Sequence, residues 1–395
     1  MSLSIRYRPT LLFFALLLSL SSCVDPFDPK VKDIPESFVV VDGYINSQGI
    51  TSIKLSRTIN LTADTVPPAE SRASVYLEEE NGMQYALREQ DAGTYISDNL
   101  TLDPLKKYRL HFTTVAGKEY TSDYVPVKVT PAIDNITWQP KNNGLQIYVS
   151  SQDAANETKF YRWKYEETWE FNSAYSTSLE YRDNGVKSRN SNDNIYVCWK
   201  TENSSAIRIG TTARLNQDVI SNYPLVLIPQ GSVKLGRRYS ILVKQYALSQ
   251  EEYAYYEALR KNTENIGSLF DPLPTQLTGN IHCVTNPTEP IIGFIGAHSE
   301  TQKRIFVDRE ELPKTWGRFS TGYEDCPPLD SIVIDYIRYF TIEDVETYFA
   351  PGIYLPVTPI YPPVGIPRLI GYTAASISCV DCRLRGTNIK PDFWK

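Results

Sequence analysis

Apolar and polar residues alternate in short runs along most of this chain, the period expected of strands with one buried face. Phe38-Val39-Val40-Val41-Asp42-Gly43-Tyr44-Ile45 reads as a buried strand. Ser52 to Ser56 and Ala73 to Glu78 alternate, the second run leading into the turn signal Asn81-Gly82, and Gly93-Thr94-Tyr95 and Leu102 to Leu110 follow at similar spacing. Such spacing predicts a β-sandwich over residues 36–130. Beyond Pro131 the pattern continues in 145–149, 160–165, 195–199, 207–209 and 239–246, then in the paired runs 291–296 and 303–307. Residues 131–395 therefore read as a second, β-rich domain.

Three stretches break the alternation. Residues 250–265 have a helical period: Tyr253, Tyr256 and Leu259 share a face, Ser249 with Glu252 forms a capping box, and Gly267 supplies the stop. Asn172 to Asn194 is rich in Ser, Asn and Asp and lacks apolar periodicity, which predicts a mobile excursion with a turn at Asp183-Asn184-Gly185. The ligand series of a calcium loop is missing there. Residues 351–367 hold six prolines in seventeen positions, which excludes a helix or a central strand and predicts an extended, polyproline-like loop. Tyr354, Leu355, Ile360 and Tyr361 make that loop apolar, as suits a docking surface for another protein.

The N-terminus has a pattern of its own. Arg6 and Arg8 precede the apolar run Leu11 to Leu18, and Leu20-Ser21-Ser22-Cys23 follows. This is the order of a secretory signal ending in a lipobox, so residues 1–22 are expected to be cleaved and Cys23 acylated. The apolar run is short for a membrane span, whereas several acyl chains hold a protein durably to a bilayer. Residues 24–35 (VDPFDPKVKDIP) are proline-rich and acidic, so residues 23–35 read as a lipidated tether. Asp25 and Asp28, close behind Cys23, resemble surface-export signals of some Gram-negative lipoproteins.

Charge narrows the partners. The chain carries a formal charge of −6, and removing residues 1–22 takes away two arginines and no acid, giving −8. That surface disfavours nucleic acid as a partner. Tyrosines number 27, a supply suited equally to ligand contact and to cross-strand pairing. Five cysteines follow Cys23, namely Cys198, Cys283, Cys326, Cys379 and Cys382. In an oxidising compartment they are disulfide candidates, and the odd count leaves one thiol over. Joining Cys326 to a member of the Cys379–Cys382 CxxC, and Cys198 to Cys283, is one possible scheme; the connectivity stays open. No second cysteine pair completes a zinc site. His111, His282 and His298 are widely spaced, and the adjacent acids Glu166-Glu167 and Glu310-Glu311 point to opposite faces of a strand. No nucleophile elbow, metalloprotease or phosphate-loop motif occurs. The expectation is a non-enzyme with no catalytic residues, metal or cofactor.

Gly93-Thr94-Tyr95 with the phrase L-x-P-L-x-x-Y-x-L is similar to transthyretin-like and fibronectin-like modules of exported proteins. The expected fold class is mostly β: tandem β-sandwich domains with one packed α-helix and a proline-rich, disulfide-stapled C-terminal region. The ordered set VVDGYI, YSILVKQYALSQEEYAYYEALRKNTENIGSLFDPLP, LTGNIHCVTNPTEPIIGFIGA, KRIF and CVDCRLRGTNIKPDFW resembles domain-of-unknown-function family 4249, lipoproteins of Bacteroidota. That resemblance implies an outer-membrane lipoprotein, held by acylated Cys23, that partners a TonB-dependent receptor in ligand capture; Asp25 and Asp28 favour a cell-surface-facing orientation over a periplasmic one, which the sequence leaves open. It carries over no catalytic residue and no ligand. The alternative is a structural or assembly factor of the secretion or barrel-insertion machinery. Cys23→Ala is expected to move the protein from the membrane fraction to the soluble fraction and to abolish palmitate labelling in the native host; retention in the membrane would sink the lipid-anchor reading.

Overall fold

The computed structural model describes residues 37–59, 66–141, 143–264, 277, 279–333, 342–364 and 367–395. The signal segment, Cys23, the tether, Asn265 and Gly267 lie outside the described residues. Phe38–Lys395 forms one unit.

The first eight strands are β1 (Val39–Asn46), β2 (Gln48–Arg57), β3 (Ser74–Glu79), β4 (Gln84–Asp91), β5 (Thr94–Thr101), β6 (Lys107–Thr113), β7 (Glu119–Ser122) and β8 (Val125–Lys128). Alternation aims Val39, Val41 and Ile45, then Val75 and Leu77, then Tyr108, Leu110 and Phe112 into one core. Burying each of these aliphatic side chains contributes about 1.5–3 kcal/mol. Gly43 sits at φ +144°, where a Cβ would meet the Ser52 carbonyl oxygen at 2.5 Å, so close pairing of β1 with β2 requires glycine there.

The second core lies between two sheets formed by β9 (Ile133–Lys141), β10 (Gly144–Asp153), β11 (Phe160–Asn172), β14 (Val197–Asn203), β15 (Arg208–Thr211), β16 (Asp218–Pro229) and β17 (Arg238–Ala247). The hairpin β12 (Leu179–Arg182) and β13 (Gly185–Ser188) projects between β11 and β14. One sheet runs β16-β10-β9 and the other β14-β11-β17-β21, where β21 is Glu300–Asp308 and β15 also pairs with β11. Leu145, Ile147 and Val149 pack with Tyr161, Trp163, Ile241 and Val243 between the sheets. The buried Trp163 indole donates to Gln245 Oε1 (2.8 Å), and the Gln245 amide donates to Pro131 O and Ser151 Oγ, so these two buried polar side chains satisfy each other and the backbone. Three buried tyrosines are also satisfied: Tyr95, Tyr120 and Tyr239 donate to Glu70 O, Glu289 Oε1 and Glu167 Oε1.

A chain boundary at 130/131 does not separate these sheets. After the helix Gln250–Glu264 the chain returns to the first one as β18 (Ile281–Cys283) on β7, β19 (Ile291–Ile292) on β1, and β20 (Ala297–His298) between β1 and β8. Because β8 also pairs with β6, the path β6-β3-β4-β5-β2-β1-β20-β8 closes on itself and leaves no free edge along that ring. The N-terminal unit is thus a closed sheet completed by residues beyond 280. In the helix, Ser249 Oγ accepts from the Glu252 N–H (3.1 Å). The Glu252 carboxylate lies 3.5 Å from His298 Nε2, so the box is completed on one side and the acid faces β20. Tyr253, Tyr256 and Leu259 pack with Phe294, Ile209 and Tyr246, as the shared face predicts.

A third layer corrects two expectations. The 172–194 excursion carries an ordered hairpin: β12 and β13 pair through Asp183-Asn184, both at positive φ (47° and 57°), the turn geometry that matches strand twist. Its Leu179, Tyr181 and Val186 pack beside the helix Ile342–Phe349, and that burial supplies the order that local periodicity lacks. The proline-rich segment is not a polyproline loop over its length. Tyr354–Ile360 forms β23, an edge strand of the sheet β22 (Asp330–Val333), β24 (Gly371–Ser376), β23. Pro356 and Pro359 lack an N–H, and an edge strand with a register shift at Pro356/Thr358 tolerates that.

The disulfides are Cys198–Cys382 and Cys326–Cys379, and Cys283 is a buried free thiol. A Cys198–Cys283 pairing is overturned because Cys198 lies on β14 of the second sandwich and Cys283 on β18 of the closed sheet, and disulfide partners must bring their Cα atoms within about 7 Å. The two CxxC cysteines reach different partners, so residues 377–395 are tied to both β14 and the 326 loop. Non-reducing peptide mapping should recover these two crosslinks and a thiol at Cys283 that alkylates only after unfolding. Cys198→Ser with Cys382→Ser should cost about 2–4 kcal/mol of stability by denaturant titration, whereas a map showing Cys283 crosslinked would overturn the topology.

Candidate binding cleft

A cleft of about 450 Å³ opens where the end of β11 meets the segment after β21. One wall continues β11 through Glu170, Phe171 and Asn172 to Tyr175, and the short helical turn Val233–Leu235 brings Arg237 beside it. Arg237 Nε pairs with Glu170 Oε1 at 2.6 Å. The Asn172 amide, turned so that its oxygen faces donors, accepts from Tyr196 Oη (3.1 Å) and Arg237 Nη1 (2.9 Å). This wall is a closed polar network whose positive and negative charges balance.

The opposite wall comes from Arg309 and the loop Phe319–Cys326. Arg309 lies 4.9 Å over the Phe319 ring and donates through Nη1 to Gly236 O at 3.1 Å. No carboxylate among the described residues forms an ion pair with it, so one cationic group faces the cleft without a counter-charge. Tyr323 is 5% exposed, and its hydroxyl has no hydrogen-bond partner among the described residues. Burial pushes its pKa up, with the Arg385 guanidinium, 4.0 Å over the ring, acting in the opposite sense. The Cys326–Cys379 bridge and the Tyr175 hydroxyl, which donates to Pro327 O (2.6 Å), close one end.

The residues expected to dock a partner divide. Tyr354 and Tyr361 are 39% and 52% exposed, with Tyr354 set 5.2 Å from the Tyr348 ring, and Ile360 is half-buried. Leu355 turns inward against Val357, Ala375 and Cys379. None of the four lines the cleft. The histidines stay apart: His111 bridges Tyr76 (2.7 Å) and Glu119 (2.8 Å), His282 meets Asp123, and His298 stacks on Tyr44. No group of three His, Cys, Asp or Glu suited to a metal occurs among the described residues. Glu170, Arg237, Arg309 and Tyr323 carried no sequence signal, because their juxtaposition joins segments more than sixty residues apart that no motif links.

The sequence profile described as "Domain of unknown function (DUF4249)" matches residues 24–304. The chain belongs to this family. No curated protein matches it. A two-domain fibronectin type-III segment of chicken tenascin aligns with 69% of the DUF4249 chain and 99% of its own, at 10% identity and a TM-score of 0.17. The chitinase ChiA74 of Bacillus thuringiensis aligns with 49% and 28%, at 10% identity and 0.15. Scores that low carry no argument. The DUF4249 match does bear on the cleft: the β11 wall and Arg237 fall inside it, whereas Arg309 to Cys326 fall outside.

The turn that shapes the second wall depends on one charge. Glu324 Oε1 accepts from the Thr321 N–H (2.6 Å), Ser320 Oγ (2.9 Å) and Thr321 Oγ1 (3.2 Å). These bonds, the Thr321 N–H first, lower its pKa to about 2. A depressed carboxylate favours the folded turn above its unfolded pKa of about 4.3, and that contribution fades as pH falls toward 2. The Thr321 amide resonance should titrate with a midpoint near 2 and be flat over that range in Glu324→Gln. A midpoint near the ordinary glutamate value would show that the carboxylate does not hold the turn.

Proposed function

We propose that this DUF4249 protein is a non-catalytic, lipid-anchored outer-membrane protein that captures a ligand beside a TonB-dependent receptor. The observation that carries the reading is the cleft: an uncompensated guanidinium beside aromatic rings, on a wall stapled by a disulfide. The lipobox at Cys23 and the acidic, proline-rich tether support mooring at a membrane. The family resemblance supplies the receptor. Among the described residues no helix is long and apolar enough to cross a membrane, which is consistent with anchoring by acyl chains.

Tyr354 and Tyr361 support a docking role, since their rings flank an edge strand rather than filling a core. Tagged protein purified in mild detergent from its native host should bring down one β-barrel receptor in near-equal amount. Tyr354→Ala combined with Tyr361→Ala should reduce that recovery at least tenfold without changing the thermal midpoint. Recovery of the lipoprotein alone would count against the partnership, and disturbance of many outer-membrane proteins on deletion would favour the assembly-factor alternative.

A further inference from the structure

The cleft has a chemical preference that goes beyond a general capacity to bind. Its three charged side chains are Glu170, Arg237 and Arg309, and Glu170 with Arg237 already forms a 2.6 Å pair. Arg309 is therefore the surplus positive charge, in a chain whose formal charge is −6. Arg309 is solvent-exposed at the mouth of the cleft, and the Phe319 ring beneath it and the Gly236 carbonyl at one donor orient its guanidinium. Four of the five N–H donors of an arginine remain after the bond to Gly236. A planar fork held in this way matches a carboxylate, which it can engage through two parallel hydrogen bonds. Around it, the half-buried Phe319 offers ring surface, the buried Phe171 and Tyr323 line the cleft more deeply, and the Tyr323 hydroxyl is a buried polar group without a hydrogen-bond partner among the described residues. A volume of about 450 Å³ suits a small ligand rather than a folded partner.

Building on the ligand-capture reading, we infer that the cleft binds a small monocarboxylate whose carboxylate pairs with Arg309 and whose flat or apolar body lies against the aromatic rings. A peptide C-terminus and a uronic-acid sugar both present this chemistry. Arg309 lies beyond the DUF4249 match, so this preference belongs to the C-terminal wall rather than to the matched region.

The test is calorimetry on the full acylated protein in detergent with four probes: Ala-Ala-Phe as the free acid, the same peptide as its C-terminal amide, a glucuronate-ended disaccharide and its neutral glucose counterpart. At least one acid should bind tenfold or more tighter than its neutral partner, and the pair that shows the difference identifies the source. Arg309→Gln should bring that ratio below twofold with an unchanged thermal midpoint. Arg309→Lys, which keeps the charge and loses the fork, should fall between, and Arg88→Gln on the far exposed surface should leave the ratio unchanged. Equal binding of acid and neutral probes, a preference that survives Arg309→Gln, or no binding by either acid would overturn the inference. Receptor recovery is a separate readout: Arg309→Gln should recover the receptor as wild type does while losing the acid preference, wild type that recovers the receptor but shows no acid preference sinks the ligand class alone, and wild type that recovers no receptor sinks the partnership.

Discussion

Thr130 and Ser299 are the points where the chain leaves the closed sheet for the sandwich and where it crosses again, and they are hydrogen-bonded to each other. The Thr130 N–H donates to Ser299 Oγ (2.9 Å), and its hydroxyl donates to Ser299 O while accepting from the Ala247 N–H. Ser299 N–H in turn reaches back to Lys128 O. Both residues are buried, so each bond replaces water that neither group can reach. One residue farther on, Glu300 accepts from Tyr44 Oη of the closed sheet (2.8 Å) and Tyr246 Oη of the sandwich (2.9 Å). Burial first, then the Glu300 charge at Tyr44 and the neighbouring Tyr44 and Glu300 at Tyr246, pushes both phenol pKa values well up, so both hydroxyls stay protonated donors near neutral pH. His298 stacks on the Tyr44 ring and faces Glu252 of the helix. Two modules and a helix thus meet on one set of buried polar groups.

That junction positions the rest of the molecule. Because β20 and β21 are separated only by Ser299, the register of the closed sheet passes directly to the outer strand of the sandwich. On β21, Arg304 lies 3.5 Å over Phe393, and Phe306 meets Trp394 edge to face, so the C-terminal residues are laid across that strand. Trp199 and Thr387 exchange a pair of backbone hydrogen bonds, and the Trp394 indole donates to Glu170. Residues 377–395 therefore reach both outer strands of this sheet, β14 through Thr387 and β21 through Phe393 and Trp394, and the cleft residue Glu170 on β11 between them. The two disulfides extend this fixation to β14 and the 326 loop. A wall outside the family match is in this way held rigidly against a wall inside it, as a site for a small ligand requires.

Much of the fold was legible in the sequence because a half-buried strand imposes a two-residue period wherever it occurs. The runs at 38–45, 73–78, 160–165 and 239–246 all correspond to strands, and the aromatic face of the 250–264 helix packs as its spacing predicts. The Asp183-Asn184 turn was equally local, since those residues tolerate the left-handed backbone that the turn demands. The proline run was half legible: prolines forbid a central strand but say nothing about an edge, and pairing with β24 decided the matter. The order of the 172–194 hairpin was not legible, because the burial that stabilises it comes from residues some 160 positions away.

The amino-acid sequence by itself determined the family, the mostly β character and the helix, all of which are written in contiguous residues with their own local periods or motifs. Tertiary structure alone decided that residues beyond 280 close the first sheet, that Cys198 meets Cys382 while Cys283 stays a thiol, and that Arg309 faces Arg237 across a cleft. Each of these joins segments far apart in the chain, and their proximity comes from the summed packing of whole sheets rather than from any local preference of the residues that meet.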